Sequence, residues 1–218
     1  MNRLASFLPV HLRRRLLGNA GVPALPSEDR FAAALLFSDI SGFTALTEKL
    51  QERGREGAED IVALVGTVLG PAVDQVHRWG GSVVNFAGDG LFAVFFPDVS
   101  PVRRAEACAE GIRSSFEKLG LLSSSVGRIR LRMSQCIHWG TVTAMHVGRP
   151  GQRWCIVAGP AVRALARSTL SSRQGRSAAG ARAPMMTIDR RGARGRRTSG
   201  RVRILFRAGG RQQPACAD

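Results

Sequence analysis

The chain has 218 residues, of which 44% are hydrophobic, and a formal net charge of +16. This length and composition predict a globular protein of one to one and a half domains and exclude a wholly disordered chain. No apolar run reaches the roughly 18 to 20 residues of a membrane helix and no signal-peptide pattern is present, so we expect a cytoplasmic protein without a membrane span.

The positive charge is concentrated near the C-terminus. Residues 1–170 carry 20 Lys and Arg against 14 Asp and Glu, a net charge of +6, whereas residues 171–218 carry 12 Arg against two Asp, a net charge of +10. The second segment is rich in Arg, Gly, Ser and Ala without a convincing apolar period, which predicts an irregular, disordered basic tail. Because Phe206 is its one aromatic residue, the tail does not favour a dedicated nucleic-acid-binding role.

The four cysteines are widely spaced and contain no CxxC pair. This spacing favours reduced, mostly buried thiols and argues against a zinc site. The residues concerned are Cys108, Cys136, Cys155 and Cys216.

In chain order, the first predicted element is a strand at 31–38, a near-continuous apolar run typical of a strand covered on both faces. Hydrophobic period and turn residues then predict helices at 42–53, 58–79, 101–119 and 161–170, strands at 82–87, 91–96, 128–138, 141–147 and 154–158, hairpin turns at 88–90 and at Trp139-Gly140, and a loop at 148–153.

The helix at 58–79 is interrupted by Pro71 and is predicted to bury one apolar stripe. That stripe comprises Ile61, Val62, Val65, Val68, Leu69, Val73 and Val76. The order of elements predicts an α+β fold in which helices flank a mostly antiparallel sheet. We assign this domain to residues 30–170, with an N-terminal extension at 1–29 and the tail at 171–218.

The segment 35–46 places a strand end, an acid and a helix start within a few residues. Asp39 leaves the strand where a cation can bind, and residues 40–44 offer backbone N–H groups at a helix N-terminus, which suit an anion such as a triphosphate. The ordinary alternative is that Asp39 or Ser41 caps the helix.

A second acid lies fifty residues further on, in a hairpin turn. Asp89 follows Gly88 and precedes Gly90 between two apolar strands, and if the first strand lies beside this hairpin, Asp39 and Asp89 project at the same edge of the sheet. Two carboxylates and substrate phosphates suit Mg²⁺, and a two-metal site promotes in-line displacement at phosphorus. The alternative for Asp89 is an ordinary Asp-Gly turn.

These two segments carry a family resemblance. FSDISGFT at 37–44 and FAGDGL at 86–91 closely resemble the two metal-binding motifs of class III nucleotide cyclases. With TALTEKL at 44–50 added, the chain looks most like the soluble, bicarbonate-responsive adenylate cyclase branch. The resemblance covers about residues 30–167 and implies a ferredoxin-like cyclase domain.

The resemblance implies conversion of ATP, with GTP as the other candidate, to 3′,5′-cyclic AMP and pyrophosphate in intracellular signalling. The 3′-hydroxyl, activated by one metal, would attack the α-phosphorus. Two Mg²⁺ or Mn²⁺ ions would be bound by Asp39 and Asp89, assisted by the Ile40 carbonyl. The implied nucleotide-binding residues are Ser41, Gly42, Phe43, Thr44 and Asn85.

The chain departs from the family pattern in three places. Asn85 stands where this branch usually has a lysine that reads the purine or lines the paired regulatory pocket. Matching Gly159 to the last helix places Arg163 at an asparagine position and Arg167 at the position of an arginine that stabilises the transition state. We therefore predict Arg167 as the catalytic arginine, the alternative being a solvated helix-face residue. The basic tail does not resemble the closing strands of the family.

Class III active sites lie between two cyclase domains, so the resemblance implies a homodimer or a partner that supplies a second cyclase domain. The alternative function is a catalytically inactive, cyclase-like module that binds nucleotide or dimerises. Asn85 and the divergent C-terminal end keep this alternative open.

Overall fold

The computed structural model describes residues 24–129, 131–149, 152–177 and 201–202. Strands and helices follow one another as β1 (Ser27–Ser41), α1 (Phe43–Gln51), α2 (Arg55–Arg78), β2 (Ser82–Ala87), β3 (Gly90–Phe95), α3 (Pro101–Leu119), β4 (Leu122–Ser124), β5 (Gly127–Ile129), β6 (Arg132–Arg149), β7 (Gln152–Ala158), α4 (Pro160–Ser177) and β8 (Arg201–Val202).

The main sheet has the strand order β2-β3-β1-β6-β7, with every neighbouring pair antiparallel, and β8 pairs with β6. Strands β4 and β5 form a separate two-stranded sheet. β1 lies at the centre, and the prediction that both of its faces are covered is confirmed, because Ala33, Ala34, Leu35 and Leu36 are all 0% exposed. The predicted α+β class, a mostly antiparallel sheet flanked by helices, is confirmed as well.

Alternate residues of β1 pack into two different cores, as the two-residue period of a strand requires. Ala34 and Leu36 belong to a cluster with residues of α2 and α3, whereas Ala33 and Leu35 belong to a cluster with Ala161 and Leu165 of α4. The sheet therefore has α2 and α3 on one face and α4 on the other. A third cluster joins the end of β1 to α1 and α2.

The predicted hairpin at Trp139-Gly140 is wrong. β6 runs without a turn from Arg132 to Arg149, because its residues 132–146 pair along the whole length of β1. Gly140 lies opposite Ala33 in this ladder, and a Cβ at Gly140 would lie 3.1 Å from Ala161 Cβ. The glycine therefore permits the close approach of α4 to the sheet and does not mark a turn.

The predicted core stripe of the long helix is wrong in part. Val62 and Val65 are 74% and 36% exposed. Val68 and Val76 of the predicted stripe are buried, as expected. Leu64 and Ala72, which the prediction omitted, are buried with them on the face that meets α1 and the sheet. Pro71 lies inside α2, which continues through it to Arg78.

The predicted domain limits differ from the elements at both ends. β1 begins at Ser27, within the segment taken as an N-terminal extension. Residues 171–177 continue α4, and Arg201–Val202 pair with β6, although all lie in the segment taken as a disordered tail. The remainder of both predicted segments, 1–23, 178–200 and 203–218, lies outside the described residues.

The small β4–β5 hairpin is attached to the α1–α2 region by two hydrogen bonds at its turn. The Ser125 backbone N–H donates to Asp60 Oδ2 at 2.6 Å, and Arg53 Nη2 donates to the Ser125 carbonyl at 3.0 Å. The first of these bonds holds the pKa of the Asp60 carboxyl below its usual value, because it favours the ionised form.

The contact between α1 and α2 depends on a glycine. A Cβ at Gly57 would lie 1.7 Å from the Leu50 carbonyl oxygen, a distance that forces the two helices apart. We predict that Gly57→Ala lowers the free energy of unfolding by roughly 2 kcal/mol or more, measured by urea denaturation. Gly66→Ala, in the same helix with nothing within 4 Å of its Cβ, should instead raise it by up to about 1 kcal/mol. Equal effects of the two substitutions would contradict this packing account.

Candidate active site

The β1–β3 register brings the two candidate metal-binding acids to one edge of the sheet. The pairing of these strands ends at Ser38 opposite Leu91, so that Asp39 comes next on β1, in line with Gly90. Asp89 immediately precedes Gly90, at the tip of the β2–β3 hairpin. Asp39 is 3% exposed, whereas Asp89 is half-buried.

The glycine after Asp89 sets the fit between this hairpin and β1. A Cβ at Gly90 would lie 2.5 Å from Phe37 Cζ, so the ring of Phe37 occupies the space that any side chain would need. Gly88 supplies the left-handed backbone of the turn, with a φ of 62°. The two glycines that flank Asp89 are therefore required for different reasons. Gly88 is required by the backbone conformation of the turn, and Gly90 by the lack of space beside Phe37.

Helix α1 begins at Phe43, four residues after Asp39. Gly42 is the N-cap of α1, with a φ of 96°. The residue at the N-cap position is therefore Gly42, and neither Asp39 nor Ser41. The first intrahelical bond runs from Leu46 N–H to the Gly42 carbonyl over 3.2 Å, so the N–H groups of residues 43–45 point out of the helix end, as helix geometry requires.

The side chains of the predicted phosphate-binding segment differ in exposure. Ile40 and Phe43 are 2% and 9% exposed and pack in the cluster between α1 and α2, so these two residues can contribute backbone atoms only. Thr44 is exposed. Ser41 ends β1 opposite Arg132.

Asn85 lies on the same part of the sheet as the acid pair. It pairs with Phe92 on β3, which pairs with Phe37 on β1, which in turn pairs with Cys136 on β6. These four paired residues form a row across the four strands, and the β1 member of the row lies two residues before Asp39. Asn85, at one end of the row, is exposed. Asn85 is therefore placed where it could contact a molecule bound at Asp39 and Asp89.

The predicted catalytic arginine lies on a separate element. Arg163 and Arg167 are both exposed on α4, which begins over Gly140, opposite a β1 residue six positions before Asp39. α4 packs on the sheet face that also carries Phe37, the face toward which Asp39 projects by strand alternation. The helix that carries Arg167 thus packs on the same sheet face as Asp39, although the two residues are distant in sequence.

The acid pair fits a hard divalent cation. Among the described residues, no group of three or more His, Cys, Asp or Glu side chains is arranged to hold a metal ion. Two carboxylates would therefore need oxygen ligands from substrate phosphates and water, which is how Mg²⁺ is usually held in nucleotide sites. The prediction of Mg²⁺ or Mn²⁺ is chemically consistent with this donor set.

The described cysteines lie in the core or near it. Cys108 and Cys136 are buried and Cys155 is half-buried, all three as free thiols, which confirms the predicted burial for two of them. Burial raises the pKa of the Cys108 thiol to about 12, so this group stays protonated at neutral pH. Cys216 lies outside the described residues.

Comparison with known proteins identifies the fold. No protein-family model matches the chain. A bacterial light-regulated adenylyl cyclase superimposes with a TM-score of 0.62 at 23% identity, covering 78% of this chain and 48% of that one. The guanylyl cyclase Cya2 superimposes with a TM-score of 0.56 at 23% identity, covering 81% of this chain and 91% of that one. The chain has the fold of a class III nucleotide cyclase domain.

Sequence relatives of this cyclase fold include mammalian and bacterial proteins. Adenylate cyclase type 10 of Mus musculus is 30% identical over 144 residues, 64% of this chain and 9% of that protein. Adenylate cyclase 1 of Rhizobium meliloti is 28% identical over 116 residues, 52% of this chain and 16% of that protein. The predicted resemblance to class III cyclases is thereby confirmed, although the chain spans only a small part of the length of these relatives.

Two features of the described residues were not predicted from the sequence. Gln135 is buried beside Ser38, and Trp154 and Ile156 are exposed on β7. The alternation of β6 contained a signal for the first, because Met133, Gln135 and Ile137 fall on one face of the strand. The exposure of Trp154 and Ile156 had no sequence signal, because a short apolar strand is more commonly buried.

Proposed function

We propose that this chain is a nucleotide cyclase that converts ATP to 3′,5′-cyclic AMP and pyrophosphate. The observation that carries the proposal is the β1–β3 register, in which Asp39 follows the last pair, in line with Gly90, the residue after Asp89. The start of α1 at Phe43, four residues after Asp39, supports a triphosphate site through the backbone N–H groups of its first turn. The relatives named adenylate cyclase support ATP, while GTP remains the other candidate because guanylyl cyclases share the fold.

The reaction forms one bond and breaks one bond at the α-phosphorus. The ribose O3′ attacks the α-phosphorus in line with the bond to the β-phosphate, that bond breaks, pyrophosphate leaves and the hydroxyl proton is lost. When bound, two Mg²⁺ or Mn²⁺ ions would lower the pKa of the hydroxyl and neutralise phosphate charge. Asp39, Asp89 and the Ile40 carbonyl would hold these ions.

The other residues would bind and orient the nucleotide. The backbone N–H groups at the start of α1, in the segment Ser41, Gly42, Phe43 and Thr44, would bind the triphosphate through hydrogen bonds and the helix dipole. Asn85, exposed beside the acid pair, would contact the purine. The Arg167 guanidinium would bind the phosphate charge that develops in the transition state.

We also propose that the active form is a homodimer or a complex with a second cyclase domain. α2 and α3 pack on Ala34, Leu36 and Ile137, but at the β6–β7 end of this face Trp154 and Ile156 are 63% and 47% exposed. β7 is also an edge strand of the main path of the sheet. An exposed Trp beside an Ile is typical of a protein interface.

Within the part of the chain that the structure describes, no helix has the length and apolarity needed to cross a bilayer. We propose the cytoplasm as the site of action, because the free thiols Cys108, Cys136 and Cys155 fit a reducing compartment.

One specific observation favours the alternative of an inactive, cyclase-like module. Asn85 and Arg163 occupy exposed positions with side chains different from those of the family pattern. Such a protein would still bind nucleotide with a divalent cation at Asp39 and Asp89, but it would release no cyclic product.

A turnover assay tests the proposed activity. We predict that purified full-length protein converts ATP, and more slowly or not at all GTP, to the cyclic nucleotide in the presence of Mg²⁺ or Mn²⁺, measured by chromatography of the products. Asp39→Ala and Asp89→Ala should each reduce the rate to background, because each removes a charged metal ligand.

Glu48→Ala, which removes an exposed acid from α1, is the matched control and should keep full activity. Metal-dependent nucleotide binding without any product would favour the inactive module. Product formation that survives Asp39→Ala would contradict the proposed site.

The dimer is tested by a substitution on the exposed end of β7. Trp154→Glu should weaken self-association by roughly 30-fold or more, as for the loss of an aromatic interface anchor, measured by sedimentation velocity. Val99→Glu, which changes another exposed apolar residue, is the control and should leave association unchanged. Equal association of the wild type and Trp154→Glu would exclude this surface.

A further inference from the structure

A buried polar pair lies next to Asp39, on the opposite face of the sheet. Ser38 and Gln135 face each other across β1 and β6. Gln135 Nε2 donates a hydrogen bond to Ser38 Oγ over 3.1 Å, and the two residues are 2% and 3% exposed. Ser38 is the residue immediately before the candidate metal ligand.

The surroundings of this pair are apolar on both sides along the strands. Leu36 and Ile137 pair two residues before it and lie in the core between the sheet and α2 and α3. Ile40 and Met133 pair two residues after it and lie in the cluster under α1. The Ser38–Gln135 pair therefore interrupts what would otherwise be a continuous apolar row.

The amide of Gln135 is only partly satisfied. Its Oε1 atom is buried and has no hydrogen-bond partner. Turning the amide over would only exchange the unpartnered oxygen for an unpartnered nitrogen. Because an unpaired buried polar atom is destabilising and a methionine of similar length could extend the core, stability alone does not account for a glutamine here.

The position of the pair in the sheet indicates what it can do. Ser38 is the last β1 residue that pairs with both β3 and β6, whereas Asp39, Ile40 and Ser41 pair with β6 alone. Beyond Ser38, the strand has lost one of its two neighbours and its rotation about its own axis is less restrained. A side-chain bond at Ser38 restrains that rotation at the last fully paired residue.

We propose that Gln135 is a positioning residue for the metal-binding end of β1. Its amide holds Ser38, and Ser38 in turn fixes the direction in which the Asp39 side chain and the Ile40 carbonyl project from the strand. The inference rests on the proposed function, since it concerns the ions that Asp39 and Asp89 would bind. It adds a residue on the opposite face of the sheet, whose side chain does not reach the substrate.

The test measures metal affinity and stability separately on the full chain. Mn²⁺ binding is followed by electron paramagnetic resonance of the free ion, and unfolding by heat without metal. We expect Gln135→Met to unfold at the same or a higher temperature than the wild type, yet to bind Mn²⁺ roughly tenfold more weakly, as for loss of an outer partner of a metal ligand. A residue that only supports the fold would not separate these two readouts.

Three further variants guard against a local packing effect of methionine. Ser38→Ala should weaken Mn²⁺ binding by a similar factor, and Ser38→Thr, which keeps the hydroxyl, should restore it. Gln75→Met, a glutamine replacement on α2 at its contact with Gly111, should leave Mn²⁺ binding unchanged.

Unchanged Mn²⁺ affinity in both Gln135→Met and Ser38→Ala would overturn the inference while leaving the proposed function intact. Loss of affinity in parallel with loss of thermal stability would also overturn it, because the pair would then be merely structural. A wild-type chain whose Mn²⁺ binding is absent, or is insensitive to Asp39→Ala, would contradict the proposed metal site and the inference together.

Discussion

The antiparallel pairing of β1 is the constraint on which the rest of this structure depends. All fifteen residues of β1 pair with β6, whereas the pairing of β1 with β3 ends at Ser38. The first ladder buries the centre of β1 between two helical layers, and the second ends one residue before Asp39, which stays paired with β6. The same register brings Asp89 to this end of the strands, because the β2–β3 hairpin turns one residue beyond the last pair. One set of backbone hydrogen bonds therefore determines both the core and the relative position of the two acids.

Side-chain packing then refines what the backbone register positions. The Phe37 ring requires a glycine at position 90, and the Leu50 carbonyl requires one at position 57, so that the hairpin and α2 each sit against their neighbours at close range. Phe43 and Ile40 are committed to the core under α1. These two residues can therefore offer only backbone atoms to a molecule bound at the start of α1. This arrangement is suited to a triphosphate whose charge is shared between cations and peptide dipoles.

Much of this could be predicted from local sequence. The Asp-Gly hairpin and the helix at 101–119 depend on short-range turn chemistry, and both lie where the pattern placed them. The strand predicted to end at Ser38 continues to Ser41, because Asp39 and the two residues after it stay paired with β6. The hairpin turn predicted at Trp139-Gly140 was wrong because a glycine can mark either a turn or a close contact. Here Gly140 allows Ala161 of α4 to approach the sheet, a contact between residues distant in sequence. The predicted burial of Val62 and Val65 was wrong because apolar residues lie on more than one face of α2. Only the tertiary packing decides which of these faces is buried. The Ser38–Gln135 pair depends on strand register, which no local pattern specifies.

The most direct test of the account is to locate the cations. Crystals of the full-length chain grown with Mn²⁺ and a non-cyclisable ATP analogue should show anomalous scattering peaks between the carboxylates of Asp39 and Asp89, with the triphosphate against the N–H groups at the start of α1. Anomalous peaks confined to other parts of the chain, or a triphosphate bound away from these residues, would contradict the central claim that β1 and the β2–β3 hairpin together form a metal–nucleotide site.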